Sequence, residues 1–389
     1  MTITVLKPGA LSQLQDLGRY GYQHFGVLVG GAMDDWSHRF ANALVGNDGN
    51  EATLEITLTG PTLRFEEAAT IAVCGADLSP RVDGAGGSLS LPHGRPVLIE
   101  AGSQLRFGSR LAGARAYLAV RGGFDVPLVM GSRSTYVRGG FGGLDGRALR
   151  KDDVLRIRER APEGTRAGVE RLAAATGEGA TPAEGTTTGE GTSPGEGTIP
   201  WAEISTASAA GRFTPLRAAP DNEASGRAAL TMTVVPTAIV APVVEVAPLQ
   251  TIRIMAGRHW DLFTPEARRL LLESEYRIGG QSDRMGYRLE GPALARARDL
   301  EMISEAVTFG TIQVPPDGMP IILMADRQTT GGYPKIASVA GVDLRVLAQM
   351  AAPQALRFEL LSLADAQRIY LAREREYSHV RHVLEGNAR

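Results

Sequence analysis

The sequence predicts a mainly β protein with a few helices, and three observations carry that expectation. Short apolar runs separated by Gly, Pro and Asp turns recur through residues 1–160, a spacing that favours a barrel or a sandwich. A compositional break follows, and short strand signals resume at Thr251. The length of 389 residues corresponds to about two or three domains.

In chain order, Thr2–Leu6, Thr53–Leu58, Ala69–Cys74, Val97–Glu100, Ala116–Arg121 and Asp153–Arg158 read as strands. One helix interrupts them after Gly31-Ala32-Met33. Asp34 or Asp35 caps it, Trp36, Phe40 and Leu44 form its apolar stripe, and Gly46 sits where a C-terminal cap belongs. Residues 162–200 repeat Gly-Glu-Gly at 177–179, 189–191 and 195–197 and contain no aromatic side chain. Such a segment buries too little apolar surface to offset its ordering entropy and reads as disordered. Residues 201–249, rich in Ala, Pro and Val, read as partly ordered. The expected organisation is an N-terminal half (1–160), a low-complexity, largely disordered linker (161–249), a C-terminal half (250–377) and a polar tail (378–389) that frays. A flexible stretch of about 60 residues has a root-mean-square span of about 45 Å and would join two units without fixing their geometry. Beyond it, Thr251–Met255, Thr311–Val314 and Ile321–Met324 read as strands. Thr264-Pro265 opens a helix running through Glu275, a short helix fits Val342–Met350, and Ser362-Leu363-Ala364-Asp365 resembles a capping box.

Bulk composition excludes several classes. A net charge of −2 gives no electrostatic case for nucleic acid or an anionic membrane. One cysteine, Cys74, excludes an internal disulfide and a cysteine zinc cluster; after Ile71-Ala72-Val73 it reads as a buried strand residue. No apolar stretch approaches the roughly 20 residues of a membrane span. The first residues read as a strand rather than a signal peptide, so a cytoplasmic protein is expected.

The chemistry concentrates in polar clusters. Asp326-Arg327-Gln328-Thr329-Thr330-Gly331-Gly332-Tyr333-Pro334-Lys335 gathers a carboxylate, a guanidinium, an amide, hydroxyls, a phenol and an ammonium around two glycines, at the end of the apolar run Pro320–Ala325. Lys335 is one of three lysines in a chain with 41 Lys and Arg residues, which suggests that a compact ammonium is wanted there. It reads as exposed, with Asp326 or Asp343 as partners should it be buried. Gln281–Pro292 alternates charges around Asp283, Arg284 and Arg288; either an internal Asp283–Arg288 pair or a bound polar group accounts for it. Gln313 lies among apolar strand residues, where a buried amide needs a partner. Gln15–Gly21, with Arg19, and Gly30–Asp34 frame a glycine-rich loop entering a helix. That is either an anion-binding helix start or a tight turn. A third polar turn holds Arg133 and Ser134. The chain has no P-loop, no Gly-x-Ser-x-Gly elbow and no Met-Lys-Met biotin site. Of its six histidines only His379 and His382 have paired spacing, and they read as solvated.

Several motifs in order, QDLGRYGYQHFGV from Gln15, ANALVGN from Ala41, LEITLTGPTLRF from Leu54 and YLAVRGGFDVPLVMGSRSTY from Tyr117, resemble the carboxyltransferase-domain family known as allophanate hydrolase subunit 2. SDRMGYRLEGP from Ser282, GTIQVPPDGMPIILMADRQTTGGYPKIASV from Gly310 and DLRVLAQ from Asp343 extend the resemblance. It covers most of residues 1–160 and 250–377, and the family includes KipA and the C subunit of bacterial 5-oxoprolinase. The resemblance implies two cyclophilin-like β-barrel domains joined by the linker. It implies a subunit of ATP-dependent 5-oxoprolinase, turning 5-oxo-L-proline, ATP and water into L-glutamate, ADP and phosphate. Its partners would be the B subunit (allophanate hydrolase subunit 1, KipI-like) and the A subunit (LamB/YcsF-like). A biotin-dependent carboxyltransferase component, as in urea carboxylase, or a non-catalytic KipA-type regulator are the alternatives it allows. For the lactam reaction, residue type assigns Arg327, Arg284 and Lys335 to phosphate or substrate carboxylate, and Asp326 or Asp283 to Mg²⁺ beside ATP. Gln313, Gln328, Thr330 and Tyr333 with Gly331 and Gly332 would orient the ring, and Arg19, Gly30, Gly31, Asp34, Arg133 and Ser134 form a second candidate anion or nucleotide site.

Composition also makes the linker testable. Deleting residues 170–200 is expected to leave the melting temperature and binding of the KipI-like partner unchanged; a drop of several degrees in a thermal melt would show that the segment packs.

Overall fold

The computed structural model describes residues 1–84, 87–158, 215–217, 231–235, 237, 239–241, 243–244, 246–298 and 302–386. Two β units lie in sequence. The first contains β1 (Thr2–Lys7), β2 (Leu11–Gln15), β3 (Thr53–Thr57), β4 (Thr62–Phe65), β5 (Ala69–Asp77), β6 (Arg81–Gly84) and β7 (Gly87–Ser90). It continues with β8 (Val97–Ile99), β9 (Gln104–Arg106), β10 (Ala112–Val120), β11 (Val154–Arg156), β12 (Pro215–Arg217) and β13 (Thr231–Val234). They form a six-stranded sheet in the order β11-β1-β4-β9-β6-β7 and a seven-stranded sheet in the order β12-β13-β8-β5-β10-β3-β2. Ile3, Val5, Leu63 and Leu105 from one sheet meet Leu54, Ile71, Val73 and Leu118 from the other in a single core.

The apolar runs of β5 and β10 are continuous rather than alternating because both faces are covered. Ile71, Val73, Ala116 and Leu118 face the sheet–sheet core, whereas Ala72, Cys74, Tyr117 and Ala119 face α1 (Asp35–Leu44) and its Trp36, Phe40 and Leu44. Cys74 is therefore packing material, and burial pushes its thiol far above the ordinary range. Asp34, not Asp35, caps α1, accepting from the Ser37 N–H at 3.0 Å, and Gly46 takes the left-handed conformation just beyond the helix.

The second unit is a closed barrel. It contains β14 (Leu249–Ala256), β15 (Tyr276–Ile278), β16 (Gly286–Glu290), β18 (Thr311–Gln313), β19 (Ile321–Leu323), β21 (Lys335–Val339) and β22 (Ala355–Leu360), in the order β14-β21-β18-β19-β16-β15-β22. All pairings are antiparallel except β14 with β22. A two-stranded ribbon, β17 (Glu305–Ala306) with β20 (Thr330–Gly331), sits at its rim. α2 (Pro265–Glu273), capped by Thr264, and α3 (Leu344–Gln349) pack on the barrel.

Two expectations change. The segment 161–249 lies largely outside the described residues, but Thr231–Val234 within it is a strand. It pairs with β8, and Met232 is fully buried in the first core, so part of the supposed linker completes a sheet. The tail does not fray at residue 377. Ser362 caps a helix, α4 (Leu363–Gly386), whose Tyr377 and Val380 are buried against Trp36 and its neighbours on α1. The Arg39 guanidinium lies 3.8 Å from the Tyr377 ring centroid and pairs with Glu374 at 2.9 Å, which anchors the last turns. Widely spaced anchors among exposed polar residues, including His379 and His382, conceal that buried stripe from a reading of composition. No helix among the described residues is long and apolar enough to cross a membrane.

The strand inside the predicted linker yields a direct test. Met232→Ala is expected to lower unfolding free energy by about 2–5 kcal/mol in urea titrations, the range for truncating a buried aliphatic side chain. A change below about 0.5 kcal/mol would show that the strand contributes nothing to the core.

Candidate functional site

The two units meet along a polar seam centred on Arg284, at the start of β16. Its guanidinium grips Asp326 through two bonds, Nε to Oδ2 at 2.8 Å and Nη2 to Oδ1 at 3.0 Å. It also donates to Glu55 on β3 and to the Gly31 carbonyl at 2.7 Å. Glu55 in turn accepts from the Met33 N–H and the Tyr117 hydroxyl, both at 2.9 Å. Burial alone would raise the Glu55 carboxyl, yet Arg284, Arg115 and these hydrogen bonds hold it below the usual carboxylate range. Burial also works against the charged Arg284, but Asp326 and Glu55 keep it firmly protonated. Gly30 lies against Asp326, since a Cβ there would stand 3.7 Å from its Oδ1.

A second tie crosses the same seam. Gln349 at the end of α3 accepts from the Ala114 and Arg115 N–H groups at 3.0 Å. Its amide donates to Asp34 Oδ2 at 2.8 Å and the Arg115 carbonyl at 2.9 Å. Gly113, at φ +69°, makes room, because a Cβ there would lie 2.6 Å from Gln349 Oε1. The register of β10 against β5 shifts at this point, as a bulge requires.

A different cluster occupies the barrel rim. Lys335 opens β21 and is buried; its Nζ donates to Glu305 Oε2 and to the Gly331 carbonyl, both at 3.3 Å. His259, just beyond β14, is bonded to Lys335 twice. Its own N–H donates to the Lys335 carbonyl at 3.1 Å, and its Nδ1 accepts from the Lys335 N–H at 3.1 Å. His259 Nε2 lies 3.9 Å from Glu305, and Arg258 lies 3.5 Å from the same carboxylate. Gln313, paired with Lys335 in register, donates at 3.5 Å to the Tyr333 carbonyl. Gly331 lies close against Gln313, since a Cβ there would come within 2.4 Å of its amide nitrogen and displace that side chain.

The predicted residues therefore divide between these places. Lys335, Gln313, Gly331, Gly332, Thr330, Gln328 and Tyr333 belong to the rim or its loop, with Gln328, Thr330 and Tyr333 at least partly open to solvent. Arg284, Asp326, Gly30, Gly31 and Asp34 belong to the seam. Arg327 is half-buried between them, donating to the Met324 and Ala325 carbonyls at 3.4 and 3.3 Å. Asp283 pairs with neither Arg288 nor Arg284. Its Oδ1 caps a turn by accepting from the Met285 and Gly286 N–H groups, and its nearest cation is Arg138 at 3.8 Å. Lys335 is buried rather than exposed because it begins a barrel strand; its partner is Glu305, whereas Asp343 is held by Arg253 at 2.5 Å.

The expected second anion site is filled by the protein itself. Arg19 is fully buried, donating to the Val129 and Ser134 carbonyls at 2.8 and 3.0 Å. The Ser134 hydroxyl and the Arg133 N–H both bind Asp16, at 2.6 and 2.5 Å. At the start of α1 the Asp34 carboxylate takes the Ser37 N–H, and Glu55 takes the Met33 N–H just before the cap. Tyr117, Gln349, His259 and Glu305 do not stand out in the sequence. Gln313 does, because an amide interrupts an apolar run, and Glu55 sits between Leu54 and Ile56 in the same way.

A barrel joined to a two-sheet unit by a buried arginine seam is the setting in which relatives become informative. The family model for the carboxyltransferase domain, subdomain A and B, matches residues 25–193 and 209–360, and this chain belongs to that family. It is 31% identical over 389 residues to the C subunit of 5-oxoprolinase from Haemophilus influenzae, covering 98% of this chain and 99% of that protein. The corresponding protein of Escherichia coli is 32% identical over 365 residues, covering 94% and 93%. Urea amidolyase of Saccharomyces cerevisiae is 43% identical over 154 residues, 39% of this chain and 8% of that protein. The crystal structure of the Kluyveromyces lactis urea carboxylase superposes with a TM-score of 0.74 at 28% identity, covering 97% of this chain and 29% of that chain. This chain thus spans under a third of that enzyme.

Arg284→Met strands the buried Glu55 and is expected to cost about 3–5 kcal/mol of unfolding free energy, measured in urea. Because the folded Glu55 titrates below its unfolded value of about 4.3, its contribution is full above that pH and is lost as pH falls through the lower folded value. Stability of the native chain should therefore fall more steeply below about pH 4 than that of Glu55→Gln.

Proposed function

We propose that this chain is the C subunit of an ATP-dependent 5-oxoprolinase and works with two further chains, one LamB/YcsF-like and one KipI-like. The observation that carries this reading is the end-to-end correspondence with relatives named as the C subunit of 5-oxoprolinase, over 98% of this chain and 99% of one relative. The correspondence with urea amidolyase is with one segment of a far longer protein.

The rim cluster suits a small cyclic amide that carries a carboxylate. An ammonium, an imidazole, a glutamate and an amide converge beside the loop that presents Gln328, Thr330 and Tyr333. A lactam resists hydrolysis through amide resonance, so a site that opens it must hold the ring still and meet the charge that develops on its oxygen. Fixed donors hold the ring's carboxylate without reorganising, and Lys335 is fixed by its strand and by its bond to the Gly331 carbonyl.

The donors present do not suit Mg²⁺ or a nucleotide bound by this chain alone. Both oxygens of Asp326 are taken by Arg284, and the Oδ1 of Asp283 is taken by turn N–H groups. Among the described residues no three His, Cys, Asp or Glu side chains gather for a metal. The α1 start is occupied by Asp34 and Glu55. We assign ATP and Mg²⁺ to the partner chains.

The three co-purified chains are expected to release ADP in a 5-oxoproline-dependent manner, and this chain alone to release none. In that complex Lys335→Arg should lower turnover at least about tenfold, because a guanidinium fork replaces a point charge in a closed space. Tight binding to the KipI-like partner without any ADP release would favour a regulatory role. Carboxylation of urea with a biotin carrier, and no 5-oxoproline turnover, would favour a carboxyltransferase.

A further inference from the structure

The rim cluster is asymmetric: its two inner donors are buried and bonded to the main chain, whereas its acceptor is more exposed. Lys335 has 9% of its side chain exposed, lies in a barrel strand and is tied to Gly331. His259 is locked to the Lys335 main chain through both its backbone and its ring, and Gly257 brings the two segments close, since a Cβ there would stand 2.5 Å from the Lys335 carbonyl. Glu305, by contrast, is 31% exposed on a two-residue strand that pairs only with Thr330–Gly331.

The ring bond also fixes the state of His259. Nδ1 accepts a backbone N–H, so its lone pair is used and the proton of the neutral ring sits on Nε2. Protonating Nδ1 would break that bond and place a second cation beside Lys335 and Arg258. Burial first, then Lys335 and Arg258, depress the imidazole below its ordinary range, against the pull of Glu305. His259 is thus a neutral donor from Nε2 and not a base, facing Glu305 from 3.9 Å.

We propose that His259 and Lys335 form a carboxylate receptor at the barrel rim, with Arg258 at its mouth, and that Glu305 occupies it until a substrate carboxylate takes its place. Lys335 supplies the charge, His259 supplies a directed N–H without adding charge, and Glu305 pairs with Lys335 and Arg258 when the site is empty of substrate. Displaced, Glu305 turns to solvent, where a carboxylate is well hydrated, so the exchange of one carboxylate for another is nearly balanced in desolvation. This rests on the 5-oxoprolinase reading for the identity of the ligand, since 5-oxoproline is a lactam with a carboxylate whereas urea is neutral. The geometry itself specifies only a carboxylate.

Two measurements test it. In the full chain, ¹⁵N NMR of the His259 ring should show the neutral Nε2–H form at neutral pH, and acetate titrated into Glu305→Gln should shift the Nε2 resonance. A ring charged at neutral pH, the Nδ1–H form, or no response to acetate would overturn the receptor. In the three-chain complex, calorimetry with 5-oxo-L-proline and with pyrrolidin-2-one, the same lactam without its carboxylate, provides the second arm. His259→Ala should weaken 5-oxoproline about tenfold or more and leave pyrrolidin-2-one unchanged, His259→Gln should recover part of that loss by placing an amide N–H near Nε2, and Glu305→Gln should tighten 5-oxoproline several-fold. Equal losses for both lactams, or weaker binding in Glu305→Gln, would overturn it. Acetate binding at His259 in a complex that never turns over 5-oxoproline would retain the receptor and refute the functional reading. Turnover with the KM for 5-oxoproline unmoved in His259→Ala would do the reverse.

Discussion

The arrangement of the whole molecule depends on one buried guanidinium. Arg284 leaves the barrel at the start of β16 and satisfies three acceptors in the other unit and its own: Glu55, the Gly31 carbonyl and Asp326. A buried charge is tolerated only when it is paired and its remaining N–H groups are used, and here the planar fork meets both conditions. Its consequences spread outward. Glu55 anchors the Met33 N–H at the entry to α1, Tyr117 bridges Glu55 and the Asp34 N–H, and Asp34 caps the helix while receiving Gln349 from the barrel. The two units therefore hold one relative position through directional bonds at the seam together with the apolar packing of α4 on α1. Gly30 and Gly31 are glycines because both take positive φ, and a Cβ on Gly31 would stand 2.9 Å from the Leu17–Gly18 backbone.

Asp326 links this seam to the chemistry of the rim. It opens the loop that ends at Lys335, so the fork of Arg284 fixes one end of the loop and the barrel strand fixes the other. Gln328, Thr330 and Tyr333 project from a segment clamped at both ends. Polar groups presented this way keep their geometry when a substrate arrives, which is what a site acting through orientation needs.

How much of this is legible in the sequence varies with the range of the interaction. Strands and caps depend on near neighbours, so the six N-terminal strands, an aspartate cap at 34 or 35, the Thr264-Pro265 helix start and the Ser362 box can be read directly. The Lys335 cluster shows as a motif because most of its residues are contiguous. Its actual partners do not show. Glu305 lies 30 residues away and His259 lies 76, and neither stands out locally. Arg19 illustrates the opposite error: an arginine beside glycines suggests an anion site, but only the fold reveals that it is fully buried, with Nε and Nη2 donating to backbone carbonyls. Met232 and Tyr377 escape a sequence reading because burial there depends on partners from distant segments, while the surrounding composition is that of a surface.

The contrast between Arg284 and Lys335 explains the unequal use of the two cations in this chain. At the seam the acceptors are three, spread in a plane and permanent, and a rigid fork with five N–H groups loses little freedom in binding them. At the rim the acceptors are one carbonyl and one carboxylate placed to depart, and a compact ammonium can keep the first while exchanging the second. An arginine there would distribute its charge over a plane that the Gly331–Gln313 contact leaves no room for, and would hold Glu305 through two bonds rather than one. A site that must release its internal carboxylate to admit another is served by the weaker, rounder cation, and that requirement accounts for a lysine in a sequence that elsewhere prefers arginine.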